Sequence, residues 1–393
     1  MTTGTFLGQT GISISAFDPI IGSGTYTPQG TLVSALLAGT LASYQHEILA
    51  DGGWWSASMS MSLPFAEAED WFENGLNRHI EVYNPALERV WAGFVDQVSL
   101  SAGTLQAVRG PLMDVVNRGS VVYTPILDAT TTPPTEGSES TTTIADDAAS
   151  QALYGILEGV IAGGRLLDDG TTDDAEMLRD TYIQENKDPQ TGEDLDLTGG
   201  QATVVTLDLL GYVHRLQKWI YQDVTAATVQ VDAKIPLVIA ADPNGMFSAG
   251  TIDANALLAS RHEDDNRTAW DVLQELVSLG DAASNRYTLG VYGGQEINYN
   301  VVPTTAEYQH SIASNEMQVE TYGSGSRVYP WDVLPAQWLF LNDFLAGRGL
   351  PSTMRDDPRF MFIESVRYTA PNGLQLSGQK VSRLPQMVAR LSG

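Results

Sequence analysis

The stretch WDVLQELVSLGDAASNRYTLGVYGGQEINYNVV, Trp270 to Val302, carries the clearest local structure in the chain. Thr268 is a natural N-cap, and Asp271 three residues on completes a capping box while lying favourably on the helix dipole. Trp270, Leu273, Leu276 and Val277 recur at helical spacing, so one face of that helix is apolar and has to be buried. Gly280 stops the helix, and the period then switches from helical to alternating. Tyr287, Leu289 and Val291 point one way, and Thr288, Gly290 and Tyr292 the other. Gly293-Gly294 supplies the positive φ of a tight turn, and Ile297 to Val302 runs back to Pro303. A helix laid on a two-stranded ribbon is not stable alone, so more strands must close over it.

A kindred unit stands about two hundred residues earlier. Tyr44–Leu49 and Trp55–Met61 read as a hairpin through Asp51-Gly52-Gly53. Trp55, Ala57, Met59 and Met61 face one side and Ser56, Ser58, Ser60 and Ser62 the other, the pattern of a half-buried strand. Pro64 opens a short acidic helix through Glu73, closed by Asn74-Gly75, and His79–Tyr83 with Val90–Leu100 make a second hairpin across Asn84-Pro85. Gly11–Ile21 reads as a strand, Gly22–Gly30 as a turn, and Leu105–Tyr123 as further strand. Toward the C-terminus, Trp338–Leu341, Phe360–Tyr368 and Leu374–Ser377 read as strands, the last two joined at Pro371-Asn372-Gly373. Gly323–Ser326 is a flexible loop leading to Tyr329-Pro330-Trp331.

Between these halves the composition changes. Asp128–Thr143 is rich in Thr, Pro and Ser and reads as a linker. Leu153, Ile156, Leu157, Val160 and Ile161 mark an amphipathic helix ending at Gly163-Gly164, and Leu209–Ile220 a second, with Val213, Leu216 and Ile220 on one face. From Glu136 to Asp196 sixteen Asp and Glu stand against Arg165, Arg179 and Lys187. This is half the acidic excess of the chain. Val229–Ala240 then returns to strand, with Val231, Ala233 and Ile235 alternating before Pro236. The expected fold is mainly β with α: two small, related β-barrel-like domains at 1–127 and 226–393, and an acidic linker and helical insertion at 128–225.

A 393-residue chain that is 43% apolar, with 8 Trp, 15 Tyr and 10 Phe, can bury more than one core. Its net charge of −27 makes a nucleic-acid reader improbable, because phosphate backbones are repelled. The absence of cysteine excludes disulfides, iron–sulfur clusters, thiolate zinc sites and cysteine nucleophiles. Met1-Thr2-Thr3-Gly4 lacks the basic start of a signal peptide, and no apolar run nears the roughly 20 residues that span a bilayer. The expectation is a chain made in a cytoplasm, without membrane anchoring.

Motifs for chemistry are missing: there is no G-x-S-x-G, H-E-x-x-H, phosphate loop or G-x-G-x-x-G after a strand. The five histidines are scattered; His214 reads as exposed, and His262-Glu263-Asp264-Asp265 as a solvated charge run. Asp168-Asp169-Gly170 with Asp173-Asp174 lacks the alternating ligand spacing of a calcium loop. No catalytic, metal or cofactor residue is assigned, and no cofactor is expected. Trp54, Trp55 and Trp331 are the candidate interface residues, with sugar stacking the rival role for the Trp54-Trp55 pair.

Several runs resemble a known family. Thr268–Leu276 and Tyr287–Tyr292 resemble the second β domain of minor tail proteins of tailed bacteriophages, and Tyr329–Pro335 and Val366–Leu374 are similar to its closing segments. Gly53–Leu63 and Val90–Val95 resemble the first barrel of tail-tip, or baseplate, hub proteins. The acidic region from about Gly137 to Gln222 has no counterpart in the family. The resemblance implies a non-enzymatic virion protein that forms a homo-oligomeric ring, a trimer, at the end of the tail tube. Its partners would be tube or distal tail proteins, the tape measure and a central spike or fibre, with DNA passing through unbound. The rivals are a tail carbohydrate-binding adhesin using Trp54, Trp55 and the Ser-rich face, and a glycan- or peptide-cleaving tail enzyme.

Overall fold

The computed structural model describes residues 5–6, 12–22, 24–33, 40–102, 105–168, 173–195, 203–223, 227–262, 266–313, 316–340, 360–370 and 372–379. Sequence readings that touch residues 1–4, 11, 23, 169–170, 263–265, 341 and 371 fall outside them. The first part of the chain comprises β1 (Ser13–Gly22), β2 (Thr25–Leu32), β3 (Thr40–Leu49), β4 (Gly52–Ser62), α1 (Phe65–Asn74), β5 (His79–Tyr83), β6 (Arg89–Ala102) and β7 (Leu105–Arg109). Next come β8 (Arg118–Asp128), α2 (Ala148–Tyr154), β9 (Glu158–Leu167), α3 (Asp174–Asn186), β10 (Thr191–Leu195) and β11 (Val204–Leu210). A 3-10 turn at Tyr212–Lys218 leads to α4 (Val231–Ala240), β12 (Ser248–Ile252), α5 (Ala269–Leu279), β13 (Tyr287–Tyr292) and β14 (Glu296–Val301). The chain closes with β15 (Ala306–Ala313), β16 (Glu316–Thr321), β17 (Trp338–Phe340), β18 (Phe360–Thr369) and β19 (Gly373–Gln379).

The fold is mainly β with α; among the described residues seventeen of these strands, with the short strands Thr5–Phe6 and Arg327–Val328, share one hydrogen-bonded sheet. Across it the order is β2-β1-β5-β6-β11-β4-β3-β18-β17-β15-β16. β19 pairs with β18, β7 with β6, and β10 with β7. The strand pairings among the described residues form no closed barrel, which corrects the barrel-like expectation. Tyr44, Met59, Met61, Ile80, Val82, Trp91, Val205 and Leu207 form one core against it, with Trp71 of α1 fully buried among them.

The Thr268–Val302 unit forms as its local chemistry dictates. Thr268 caps α5 in a full capping box with Asp271, and Gly280 ends the helix at φ 61°. Val272, Leu273, Leu276 and Val277 are buried, together with Trp219, Ile235 and Tyr299, in a second core. β13 and β14 pair in register from Tyr287–Val301 to Tyr292–Glu296 around Gly294, at φ 78°. This hairpin joins the large sheet where Gly290 and Val291 meet Gly52 and Gly53 in parallel. A Cβ on Gly53, whose φ is 75°, would stand 2.4 Å from the Val291 carbonyl oxygen, so the junction requires glycine.

A second sheet of five strands is centred on β8, with β9 parallel on one edge. Thr135–Glu136, Ser140–Thr141 and Ala145–Asp146 make short antiparallel pairings with β8, so the expected linker is pinned to a strand. α3 covers this sheet, and Ala175 packs on Val121 and Tyr123.

Four element readings are corrected. The Leu153–Ile161 helix is instead the end of α2 and the start of β9: Asn117 Oδ1 accepts from the Leu157 amide at 2.8 Å, and Gly155 turns the chain at φ 75°. Val229–Ala240 holds helix α4 rather than a strand, and Pro236 lies inside it. Leu209–Ile220 divides between β11 and the 3-10 turn, and most of Gly22–Gly30 belongs to β2, paired with β1. β11, inside the stretch expected to be a helical insertion, lies between β4 and β6 at the centre of the first sheet. Strand pairing therefore crosses the boundaries drawn near 127 and 225.

Candidate functional site: an aromatic and acidic cleft

Three turns from distant parts of the chain meet around one cleft of about 520 Å³. The first is the β5–β6 turn, closed by Asn84, whose Oδ1 accepts from the Glu88 amide at 2.9 Å. The second is the 3-10 turn Pro330–Asp332, and the third is the β13–β14 turn at Gly293. Asn84 is buried, and its Nδ2 donates both to Glu88 Oε2 at 3.0 Å and to Asp332 Oδ1 at 3.1 Å. One amide thus holds two carboxylates from opposite ends of the sequence.

The walls are aromatic. Trp54 meets Tyr292 edge-on at 6.1 Å, and the Arg89 guanidinium lies 5.9 Å from the Trp54 ring. Trp331 stacks on Tyr329 with centroids 5.1 Å apart and planes 2° apart, and sets its edge against Tyr368. Arg89 is held from behind by an ion pair with the fully buried Glu81. Burial alone would raise the Glu81 carboxyl, but hydrogen bonds from His79, Tyr83 and Gln29 overcome it and bring the pKa down to about 2. Arg89 is therefore spent on Glu81. Glu88 and Asp332 have no ion-pair partner among the described residues. Burial pushes the Asp332 carboxyl up, the Asn84 hydrogen bond works against this, and the charge of Glu88 adds to the rise.

The structure brings two of the three candidate tryptophans together. Trp54 and Trp331 line the same cleft, whereas Trp55 lies elsewhere, 4.3 Å from the His214 ring and 6.3 Å from Trp270. A β-bulge separates the neighbours: Glu47 pairs with Ser56 but Ile48 with Trp54, leaving Trp55 as the extra residue. The alternation of Ala57, Met59 and Met61 is as expected, and the bulge turns Trp54 into their core. A sugar platform needs an open ring face, and Trp54 and Trp331 are only 7% and 9% exposed. These indoles hold the cleft together.

Reasoning from sequence missed Asn84, Glu88, Arg89, Tyr292 and Asp332. Asn84 and Asp332 are 248 positions apart, and no spacing signal joins them. His214 is half-buried rather than exposed: its Nε2 donates to the Trp55 carbonyl at 3.1 Å, and burial lowers its pKa to about 4. His262 is buried too, its backbone amide on Asp223 Oδ2 at 2.7 Å. Asp168 accepts from the Tyr123 hydroxyl, and Asp173 caps α3. Among the described residues no group of three or more His, Cys, Asp or Glu is placed to hold a metal, and no helix is long and apolar enough to cross a membrane. Among the described residues no serine, threonine or histidine lines the cleft.

No protein-family model matches the chain, and no curated protein matches it. Among solved structures, the tail protein from Neisseria meningitidis MC58 is similar at a TM-score of 0.38 and 8% identity, over 96% of this chain and 98% of that one. The 43 kDa tail protein of prophage MuSo2 from Shewanella oneidensis is similar at a TM-score of 0.41 and 8% identity, over 95% and 97%. Scores this low carry no argument about fold or role.

Proposed function

We propose that the chain is a structural subunit of a bacteriophage tail, a hub at the tail tip that closes into a trimeric ring and works by binding its neighbours rather than by catalysis. The observation that carries this reading is a set of sheet edges left open. Among the described residues β2 pairs only with β1, β9 only with β8, and β19 only with β18. An exposed edge is a template for another chain, and a ring of copies gives every edge a neighbour without forming an open filament. Tube, tape-measure and spike proteins would take the remaining faces. The acidic region from Glu136 to Asp196 suits a lumen through which DNA slides, since it has few cations to replace counterions.

Sedimentation equilibrium and native mass spectrometry test the reading. The expected result is a closed assembly of one size. A chain that stays monomeric at every concentration overturns the ring, and retention on host glycans would favour the adhesin.

A further inference from the structure

Copies of a chain with net charge −27 repel one another, so self-assembly calls for a cationic element that meets an acidic one. The stretch 380–393, outside the described residues, carries Lys380, Arg383 and Arg390 and no carboxylate side chain. Apolar residues, among them Leu384 and Val388, lie between the cations. The cleft has the complementary chemistry. Trp54 and Trp331 line it, and Glu88 and Asp332 are fixed by Asn84 with one oxygen each not engaged by it. Leu334, 44% exposed, lines it, and Leu87, 62% exposed, precedes Glu88 in the β5–β6 turn.

We propose that this cleft docks the 380–393 stretch of a second copy of the chain, a cationic side chain entering the cleft that Trp54 and Trp331 line and reaching the carboxylates of Glu88 and Asp332. The aliphatic stem of a lysine or arginine packs against apolar lining such as Leu334 while its head keeps polar partners. Asp332 is partly buried and Glu88 exposed, and a partly buried carboxylate attracts such a head more strongly than a solvated one does. Leu87 and Leu334 receive the apolar residues between the cations. Fourteen fully extended residues span at most about 50 Å. The proposal rests on the ring reading for its occupant, but the cleft can be tested separately.

The experiment titrates a synthetic peptide of residues 380–393 into the full-length chain, diluted until any assembly dissociates, with tryptophan fluorescence as the readout. Sedimentation then follows assembly at higher concentration. Wild-type chain is expected to bind the peptide, and excess peptide to lower the assembled fraction. The Glu88→Gln/Asp332→Asn variant should bind it about tenfold or more weakly and assemble correspondingly less, with an unchanged circular-dichroism spectrum and Tm. Pairing Glu88→Arg with Arg383→Glu should recover part of the lost association, which a merely misfolded variant would not. Equal peptide affinity of wild type and the neutralised cleft, including none in either, overturns the proposal. It is also overturned if the peptide binds only after Lys380, Arg383 and Arg390 of the full chain are changed to Gln, because the chain's own stretch then fills its cleft. An assembly that forms unaltered in the cleft variant sinks the docking and leaves the ring. A monomeric chain that binds the peptide through Glu88 and Asp332 does the reverse.

Discussion

His46 is 2% exposed, with Tyr44 and Tyr368 on either side and its Nδ1 3.0 Å from the Tyr44 hydroxyl. Burial lowers its pKa to about 3, so in the folded chain it stays neutral where an unfolded chain would protonate it near the ordinary imidazole value of 6.5. The unfolded state therefore binds more protons between those values, and this residue's contribution to stability falls as pH drops from about 6.5 toward 3. The limiting slope is about 1.4 kcal/mol per pH unit. Urea midpoints of wild type and His46→Gln at pH 7.5 and 5.5 check this: the wild type should lose more on acidification, and equal losses would refute the assignment. The lowered pKa of Glu81 acts in a different window, below the ordinary glutamate value of 4.5, where the stability it provides above that pH is lost toward about 2. Residue type alone located Trp54 and Trp331, because large aromatics must be buried or bound somewhere. Their partners were not legible, since Asn84, Glu88 and Asp332 gain meaning only when the β5–β6 turn meets the 3-10 turn at Pro330–Asp332.

At the scale of elements, legibility followed how local the determining chemistry is. The cap, box and stop of α5 lie within thirteen residues, and β4 shows its alternation openly, so both were readable. α4 was not, because its buried face, Val231, Lys234, Ile235, Val238 and Ile239, includes a lysine. Counting Lys234 as solvent-facing leaves Val231, Ala233 and Ile235, which alternate like a strand. In the structure Lys234 is 1% exposed, with its Nζ donating to Asp223 Oδ2 at 2.7 Å. Hydrogen bonds from Lys234, from the Tyr221 hydroxyl and from the His262 amide offset the effect of burial and keep the Asp223 carboxyl below its ordinary range. β9 misled for the opposite reason: its apolar positions suit a helix as well as a strand, and periodicity cannot separate the two. Replacing Lys234 with Met keeps the volume but strands Asp223 without its cation. The expected cost is about 3 kcal/mol at pH 7, read from urea unfolding. The cost should shrink as pH falls and Asp223 is protonated. No cost at pH 7 would mean that the pair is not what holds α4 in place.

At the scale of the whole molecule, the central question is whether the first sheet can exist without the residues after the acidic region. β11 pairs with β4 from Val204–Ser62 to Leu210–Ser56, and with β6 from Val204–Ser101 to Leu210–Phe94. Val205, Leu207 and Leu209 are almost wholly buried in the core on which Trp71 and Trp91 pack. Removing that strand would bare two long strand edges at once and leave the apolar side chains of β4 and β6 without their central neighbours. β18, from still later in the chain, covers the other side of β3 from Gln45 to Leu49. Contacts of such long separation are slow to form and leave no signature in a window of a dozen residues, which is why the sequence suggested a self-sufficient domain at 1–127. A fragment of residues 1–127 should then show no cooperative urea transition and little amide dispersion by NMR. A fragment of residues 1–223, which includes β11, should recover more strand signal by circular dichroism. If 1–127 unfolds cooperatively with a dispersed spectrum, β11 is an addition to a finished domain. The open edges inferred for ring assembly would then have to be sought on that smaller body.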